Sequence, residues 1–522
     1  MKRIGSVPEL GFPALGFLLL AFMSLMPWAL RIDAQSTFGS LRGLTVDATG
    51  SAVPQADITV HGLDDNSDHQ ATSGDDGVFE IENLKPGHYR VTGHKPGFAD
   101  ALVPQLALEA RQDLRLTLTF AVASQSQTVE VSAVAEQINT ENGTIAGSLQ
   151  NQQLTQLPLN SRAVSTSPLA ALQLSPEVQY DAQGNISVGG ATSAMVGYSV
   201  DGISTANVRQ NGALQDAYPS SEGIEELKVT AFNNNAEFAQ VGDVTFTTKS
   251  GTNQFHGSLF EYLQNDAFDA KPLNFSEKAP KRFNTFGGSL GGPFSIPKLF
   301  HGSDKTFFFF DYEGNRRSIS TTEQYLVPTQ AERNGDLNGF ITASNPTPFT
   351  NPATGQPSAI LIDPVTHQQF MGCGGGQPDV ICNSGAGNRI SSVTQNLLNF
   401  YPLPNANLNV ANPSFNYETL VPTPADTNGW DVRLDRTITS KQQVFARFSW
   451  KNLLTDAANP LLPNDADTEH NRSLMVSYNY AISPKWINEF RFGFTDALTS
   501  VNFPILGSTA ISHLGLQGID IS

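Results

Sequence analysis

Residues 247–270, TTKSGTNQFHGSLFEYLQNDAFDA, lead into 282–294, RFNTFGGSLGGPF, and then into 305–317, KTFFFFDYEGNRR. Small or polar residues alternate here with aromatics, and loop residues punctuate the joins. That is the pattern of antiparallel strands with one face in an apolar phase and the other in water. Phe286, Gly288, Leu290 and Phe294 share one side, opposed by Thr285, Gly287, Ser289 and Gly291. Phe308, Phe310 and Tyr312 then oppose Asp311 and Glu313. The stretch reads as a barrel wall.

The same alternation returns toward the C-terminus. Trp430, Val432 and Leu434 oppose Asp431, Arg433 and Asp435. After the polar turn TSKQ, Val444, Ala446, Phe448 and Trp450 oppose Gln443, Arg447 and Ser449. Leu474, Val476, Tyr478, Tyr480 and Ile482 follow, and then Trp486, Phe490, Phe492 and Phe494 against Glu489, Arg491 and Thr495. Seven strands are predicted: 254–263, 282–293, 305–314, 428–437, 442–452, 472–482 and 486–496. A two-residue period also fits a soluble sandwich, but the connections separate the two. Short turns at 438–441 and 483–485 alternate with long segments at 316–427 and 453–471, the asymmetry of inner turns and outer loops. The charged face is expected to line a lumen and the aromatic face to meet lipid.

The long outer loop, 316–427, is rich in Asn, Pro and Gly. Tyr325, Phe340, Phe349, Phe370 and Tyr401 are its candidate aromatic contacts for an extracellular ligand, with a merely shielding loop as the equal alternative. It holds both cysteines, Cys373 and Cys382, in CGGGQPDVIC, and a local disulfide is expected in an exported chain.

The chain has 522 residues, 15% of them charged and 39% apolar, so several ordered domains are expected. A net charge of -18 without clustered Lys and Arg argues against a nucleic-acid partner. Lys2, Arg3 and the apolar run from Phe12 to Leu30 read as a signal peptide over 1–34, with cleavage after Ala34. Beyond it no window is apolar enough for a spanning helix, so membrane insertion requires strands. Histidines lack ligand spacing, and no metal, cofactor or catalytic site is indicated. Gly287-Gly288-Ser289-Leu290-Gly291 has the spacing of a hydrolase nucleophile elbow but sits inside an alternating strand rather than a strand-to-helix turn. Asp64, Asn66, Asp68 and Asp75 are spaced as in a calcium loop, but His69 stands where a glycine is needed, so a solvated turn is the better reading.

Residues 36–120 carry the runs SLRGLTVDA, ADITVHG, GVFEIENL, HYRVTGHK and DLRLTLTF between Gly, Pro and Asp turns, which predicts a small antiparallel sandwich. The strings at 43–60 and 72–99 resemble the carboxypeptidase regulatory-like, transthyretin-like domain. That resemblance implies an accessory β-sandwich rather than a peptidase. A polar linker, AVASQSQ, and the apolar-alternating piece TVEVSAV fill 121–134. A short strand beside a flexible linker suits addition to a partner's sheet edge, and it equally suits the first strand of the next domain. Region 135–252 reads as mixed α/β, helical around Ser148 to Gln156, with strands at Ile186, Tyr198 and Leu227.

LPLNSRAVS at 157–165, VDGIS at 200–204, IEELKV at 224–229 and the opening stretch together resemble the plug and early barrel of a TonB-dependent outer-membrane receptor, within the Oar-like group. The resemblance implies a plug domain over 135–252 and a partial barrel over 253–522. It also makes Thr128, Val129, Glu130, Val131, Ser132, Ala133 and Val134 the candidate TonB box, the strand that pairs with a periplasmic TonB-type energising protein. Energised uptake in the cell outer membrane is the implied function, with an adhesion protein on the same scaffold as the alternative. Seven strands are too few for a plugged barrel, which needs about 22, and an open sheet strands backbone groups in lipid. The last residues, GLQGIDIS, lack the terminal aromatic strand of such barrels. The expectation is the N-terminal portion of a longer receptor, or a truncated copy.

Overall fold

The structure is a computed structural model that describes residues 36–122, 129–130, 143–157, 167–181, 185–207, 212–214, 217–234, 240–271, 273, 278–295, 305–337, 349–350, 357–358, 361–406, 415–457, 465–483, 486–502 and 508–518. The expected signal peptide, 1–34, lies outside them.

The N-terminal unit comprises β1 (Gly39–Asp47), β2 (Asp57–Gly62), β3 (Asp68–Thr72), β4 (Val78–Leu84), β5 (Gly87–His94), β6 (Ala101–Leu108) and β7 (Asp113–Phe120). They form one sheet of order β4-β1-β7 and another of order β3-β2-β5-β6, to which β8 (Val129–Glu130) adds. DLRLTLTF shows why: Leu114, Leu116, Leu118 and Phe120 are buried while the residues between them are not. Each sheet has one dry face, and both faces feed one core with Leu41, Ile58, Val91 and Val103 at its centre. Of the candidate TonB box, only Val129 and Glu130 are described. They pair in parallel with Ala101 and Leu102 on β6; Thr128 and residues 131–134 lie outside the described residues.

A third sheet, the inner sheet, of order β13-β12-β15-β14-β9, follows, from β9 (Ile145–Gln150), β12 (Val196–Val200), β13 (Ile203–Ser204), β14 (Ile224–Phe232) and β15 (Gly242–Thr248). A hairpin of β10 (Val178–Tyr180) and β11 (Ile186–Val188) packs nearby. Leu227, Val229, Val244 and Phe246 face a core shared with Leu154, Leu172 and Tyr198. The alternate positions Glu226, Lys228, Asp243, Thr245 and Thr247 are also buried. The sheet is therefore covered on both faces, and one of those faces is polar. Ser148–Gln150, expected as helix, are strand: Ser148 pairs with Lys228 and Leu149 with Leu227. The helix begins at Asn151 and has six residues, too few to outweigh sheet pairing.

The remaining sheet has seven antiparallel strands in sequence order: β16 (His256–Asn265), β17 (Lys281–Pro293), β18 (Thr306–Tyr325), β21 (Tyr417–Thr439), β22 (Gln442–Ala457), β23 (Asp465–Ser483) and β24 (Trp486–Asn502). The small β19 (Phe349–Thr350) and β20 (Pro357–Ser358) lie in the connection between β18 and β21. Several of the long strands overturn an expected boundary: β22 runs on to Ala457 and β23 begins at Asp465, so the long segment expected at 453–471 is only 458–464. β18 and β21 pair without a break from Thr306 with Arg436 up to Tyr325 with Tyr417, so the loop is 326–416, not 316–427. Over 316–325 and 417–427 the sequence lacks a sustained one-sided apolar alternation, and Pro422 and Pro424 read as loop; Thr and Tyr there still favour extended chain.

Burial separates this wall from a soluble sandwich. Asp431, Arg433 and Asp435 on β21 are buried, while Val432 and Leu434 between them are 39% and 40% exposed. Trp430 stacks on Trp450 with ring centroids 6.3 Å apart, and Tyr312 pairs with Trp430 in the register, forming one aromatic belt. Tyr480 and Trp486, beside the short turn, lie toward the other. On β23 the outward apolar residues run from Leu474 to Ile482, close to the roughly 9–11 residues a tilted strand needs to cross a bilayer. The sheet is open, with β16 and β24 as its edges.

Candidate functional site: the seam between the inner sheet and the wall

Asp201 and Gly202 form the turn between β12 and β13, with φ of 51° and 82°. Two successive positive φ values define the tight hairpin turn that Asp-Gly favours. The turn carries the Asp201 carboxylate out of the inner sheet and against the wall. There it is 2% exposed and accepts from Arg447 Nε at 2.9 Å, with Arg433 Nη1 at 3.5 Å. Thr248 at the end of β15 donates its backbone N–H to it at 2.9 Å.

Arg433 is held on every side. It donates through Nε and Nη2 to the two oxygens of Asp435, each at 2.9 Å, a bidentate pair. Its Nη1 donates to the Thr248 carbonyl at 2.9 Å, and its guanidinium lies 4.1 Å from the Phe445 ring centroid. Arg447 also donates to Ser449 Oγ at 2.5 Å. Two carboxylates and two guanidiniums thus balance in a dry seam, where an uncompensated charge would be costly.

Further contacts seat the inner sheet. Ser220 Oγ donates to Asp311 Oδ1 at 2.9 Å, and a Cβ on Gly223 would come within 2.3 Å of Asp311 Oδ2. Ser258 Oγ on β16 donates to Glu222 Oε2 at 2.9 Å. On the far side Ile203 presses on Gly493 of β24, where an added Cβ would lie 2.5 Å from Ile203 Cγ2. Most of these tethers are polar, so water can replace them when the surfaces part.

The outer connection is organised by its own polar groups. Asn416 accepts from the Val327 N–H and donates to the Val327 carbonyl, both at 2.8 Å, closing the base like one more strand pair. Arg333 donates to the carbonyls of Leu398, Tyr401 and Pro402. Cys373 and Cys382 are joined, their Cα atoms 4.5 Å apart. Tyr325 ends β18 instead of lying in the loop, Phe349 is in β19, Phe370 and Tyr401 are half-buried, and Phe340 is outside the described residues. Ser289 of the elbow-like string is within β17, its hydroxyl 2.9 Å from that of Ser258.

The sequence marked Arg433, Asp435 and Arg447 only as lumen-facing, and it did not single out Asp201. The available signal was the Asp-Gly dipeptide between two short apolar runs. What that aspartate meets, some 230–245 residues later in the chain, has no local trace.

Residues 247–521 match the model of a family described as outer membrane beta barrel domain, and residues 40–123 that of the carboxypeptidase regulatory-like domain. The TonB-dependent transporter Oar of Myxococcus xanthus is 26% identical over 283 residues, covering 51% of this chain and 26% of its own. The chain therefore spans about a quarter of the length of that curated relative. Among solved structures, the ferric-catecholate import receptor Fiu of Escherichia coli K12 is 9% identical and covers 69% of this chain and 50% of its own, with a TM-score of 0.33. The outer-membrane transporter YddB of Escherichia coli is 10% identical and covers 67% and 38%, with a TM-score of 0.36. Since the first of these family models takes in more than half of its residues, the chain belongs to the outer membrane beta barrel domain family, as a homologue of the TonB-dependent transporter Oar.

Proposed function

We propose that the chain serves as an outer-membrane TonB-dependent receptor for energised uptake of an extracellular ligand, without covalent chemistry. In this reading residues 1–34 are a signal peptide, 36–120 an accessory β-sandwich and 121–134 a linker with the TonB box at Thr128–Val134. Residues 135–252 are a plug, and 253–522 begin a barrel. The observation that carries the reading is a wall with charge buried and apolar side chains exposed, to which the inner sheet is tethered by polar groups. Such a seam holds against diffusion and yields to a pull. The connection 326–416 at the opposite end from the short turns is the ligand-facing cap, braced by Arg333 and by Cys373–Cys382. The test compares uptake of labelled iron chelates, glycans and peptides by cells making the unaltered protein or one lacking 128–134. Deletion is expected to abolish energised uptake of the transported compound and to leave its surface binding intact; unchanged uptake refutes the assignment of the box.

A further inference from the structure

Among the described residues, the N-terminal unit contacts the wall near its short turns, the chain that leads into the wall, and the inner sheet. Lys85 lies 3.7 Å from Asp435, and Asn83 and Asn479 share a side-chain hydrogen bond; the two wall residues are near the ends of β21 and β23. The Asp64 carbonyl accepts from Asn253 N, at 3.2 Å, on the chain that leads from the inner sheet into the wall. The third contact is the most extensive. The loop between β6 and β7 inserts into the polar face of the inner sheet, where the Ala110 N–H donates to Glu226 Oε2 at 2.7 Å and Lys228 Nζ donates to the Ala110 carbonyl at 2.5 Å. Arg111 Nη2 faces Asp243 Oδ1 at 3.0 Å, an ion pair without aligned hydrogen-bond geometry.

These groups are dry. Ala110 and Asp243 have no exposed surface, Glu226 is 2% exposed and Lys228 is 8% exposed. Arg111 adopts φ of 56°, a left-handed conformation that a long side chain takes only when its surroundings hold it there. A carboxylate and an ammonium buried on adjacent outward positions of β14 would be an expense to the inner sheet by itself. They become compensated when loop 109–112 supplies a backbone donor, a backbone acceptor and a guanidinium. The polar face of this sheet is thus built for an occupant, and the occupant is a segment of the same chain.

We propose that the N-terminal unit is an intramolecular clasp: loop 109–112, seated on Glu226, Lys228 and Asp243, pins the inner sheet to the wall and must leave before that sheet can move. The inference rests on the reading of the inner sheet as a mobile plug. It adds that a pull on the segment following the clasp first peels the N-terminal unit from β14 and β15, and only then loads the Asp201 seam. The clasp and the seam act in series: Asp435 pairs with Arg433 of the seam and also faces Lys85 of the clasp.

The test is hydrogen–deuterium exchange on the full chain in lipid nanodiscs, resolved to peptides from loop 109–112, β1, β7, β12, β15 and β21. One variant combines Arg111→Gly, which fits the left-handed backbone, with Lys228→Met; a milder one is Asp243→Asn. Loop 109–112 is expected to exchange about a hundredfold faster in the first variant. β12 and β15 should follow by about tenfold, with β1, β7 and β21 still protected. If the loop is released and β12 and β15 keep their protection, the unit is not a clasp. Asp201→Asn serves as the reference. If it frees β12 and the clasp variants do not, only this inference fails; if neither frees it, the inner sheet is not a plug and the functional reading fails as well. If β1 and β7 lose protection in the first variant, the milder one decides, and an undisturbed β15 there refutes the clasp.

Discussion

Replacing Asp201 by Asn changes one atom and tests the seam directly. The amide keeps the shape of the turn and an oxygen to accept from the Thr248 N–H, now at 2.9 Å. It loses the charge opposite Arg447 Nε at 2.9 Å and Arg433 Nη1 at 3.5 Å. Removing one member of a buried ion pair costs about 3–5 kcal/mol, because the partner charge is left dry and unmatched. Here the lower end applies. Arg433 keeps its bidentate partner Asp435, and Arg447 keeps Ser449. A loss of about 3 kcal/mol at about 1.4 kcal/mol per decade is roughly a hundredfold shift toward the parted state. Hydrogen–deuterium exchange of β12 and β15 in nanodiscs reads that shift, with β21 as the internal control. Pairing Asp201→Asn with Arg447→Met should cost less than the sum of the two single changes, since they remove the same contact. A change below about threefold in β12, or strict additivity of the pair, refutes the view that this ion pair bears the seam.

Gly493→Ala should loosen the far side of the seam by about 1–3 kcal/mol through overpacking against Ile203, seen as faster exchange of β13, and Ile203→Ala should rescue it. Burial pushes the Glu226 carboxyl up to about 7, and the Asp64 hydrogen bond raises His88 above its usual value. A raised group stabilises below its unfolded value and loses that contribution as pH rises through the folded one. The folded chain should therefore gain stability from about pH 8 to about pH 5, by on the order of 3 kcal/mol for Glu226, while the contacts from Ala110 and Arg111 favour its charged form. Lys228, lowered by burial, works from the alkaline side, while Glu109 and Arg111 face the same carboxyl from the loop. Stability of the full chain to denaturant that is flat across this range refutes the linkage. The double substitution Cys373→Ser with Cys382→Ser removes a closure worth roughly 2.5–3 kcal/mol by loop entropy. It should raise exchange in 361–382 alone, and loss of protection in β18 or β21 would show that the disulfide supports the wall instead.

The wall was the most legible part of this sequence because lipid reverses the usual burial and leaves a period-two record on each strand. Val432 and Leu434 had to be apolar to face lipid, and Arg433 polar to face the seam, so three adjacent letters carry the decision. Legibility ends where that constraint ends. Beyond the belt of Tyr312, Trp430 and Trp450 the strands β18 and β21 continue for 13 more residues each, to Tyr325 and Tyr417, and nothing in SISTTEQY distinguishes a polar strand from a loop. The candidate site is hidden for a different reason. Asp201 finds Arg447, and Ala110 finds Glu226 and Lys228, across 246, 116 and 118 positions. Such pairings depend on the rotation and depth at which one sheet sits inside another, which local spacing does not encode. What the sequence does hold is a cost without a visible return: Glu226 and Lys228 stand on the outward face of a strand whose alternate residues are Leu227 and Val229. In a soluble sheet that face would be open to water. The buried carboxylate and ammonium make sense only if other parts of the chain cover them, and here the cover is a loop of the N-terminal unit.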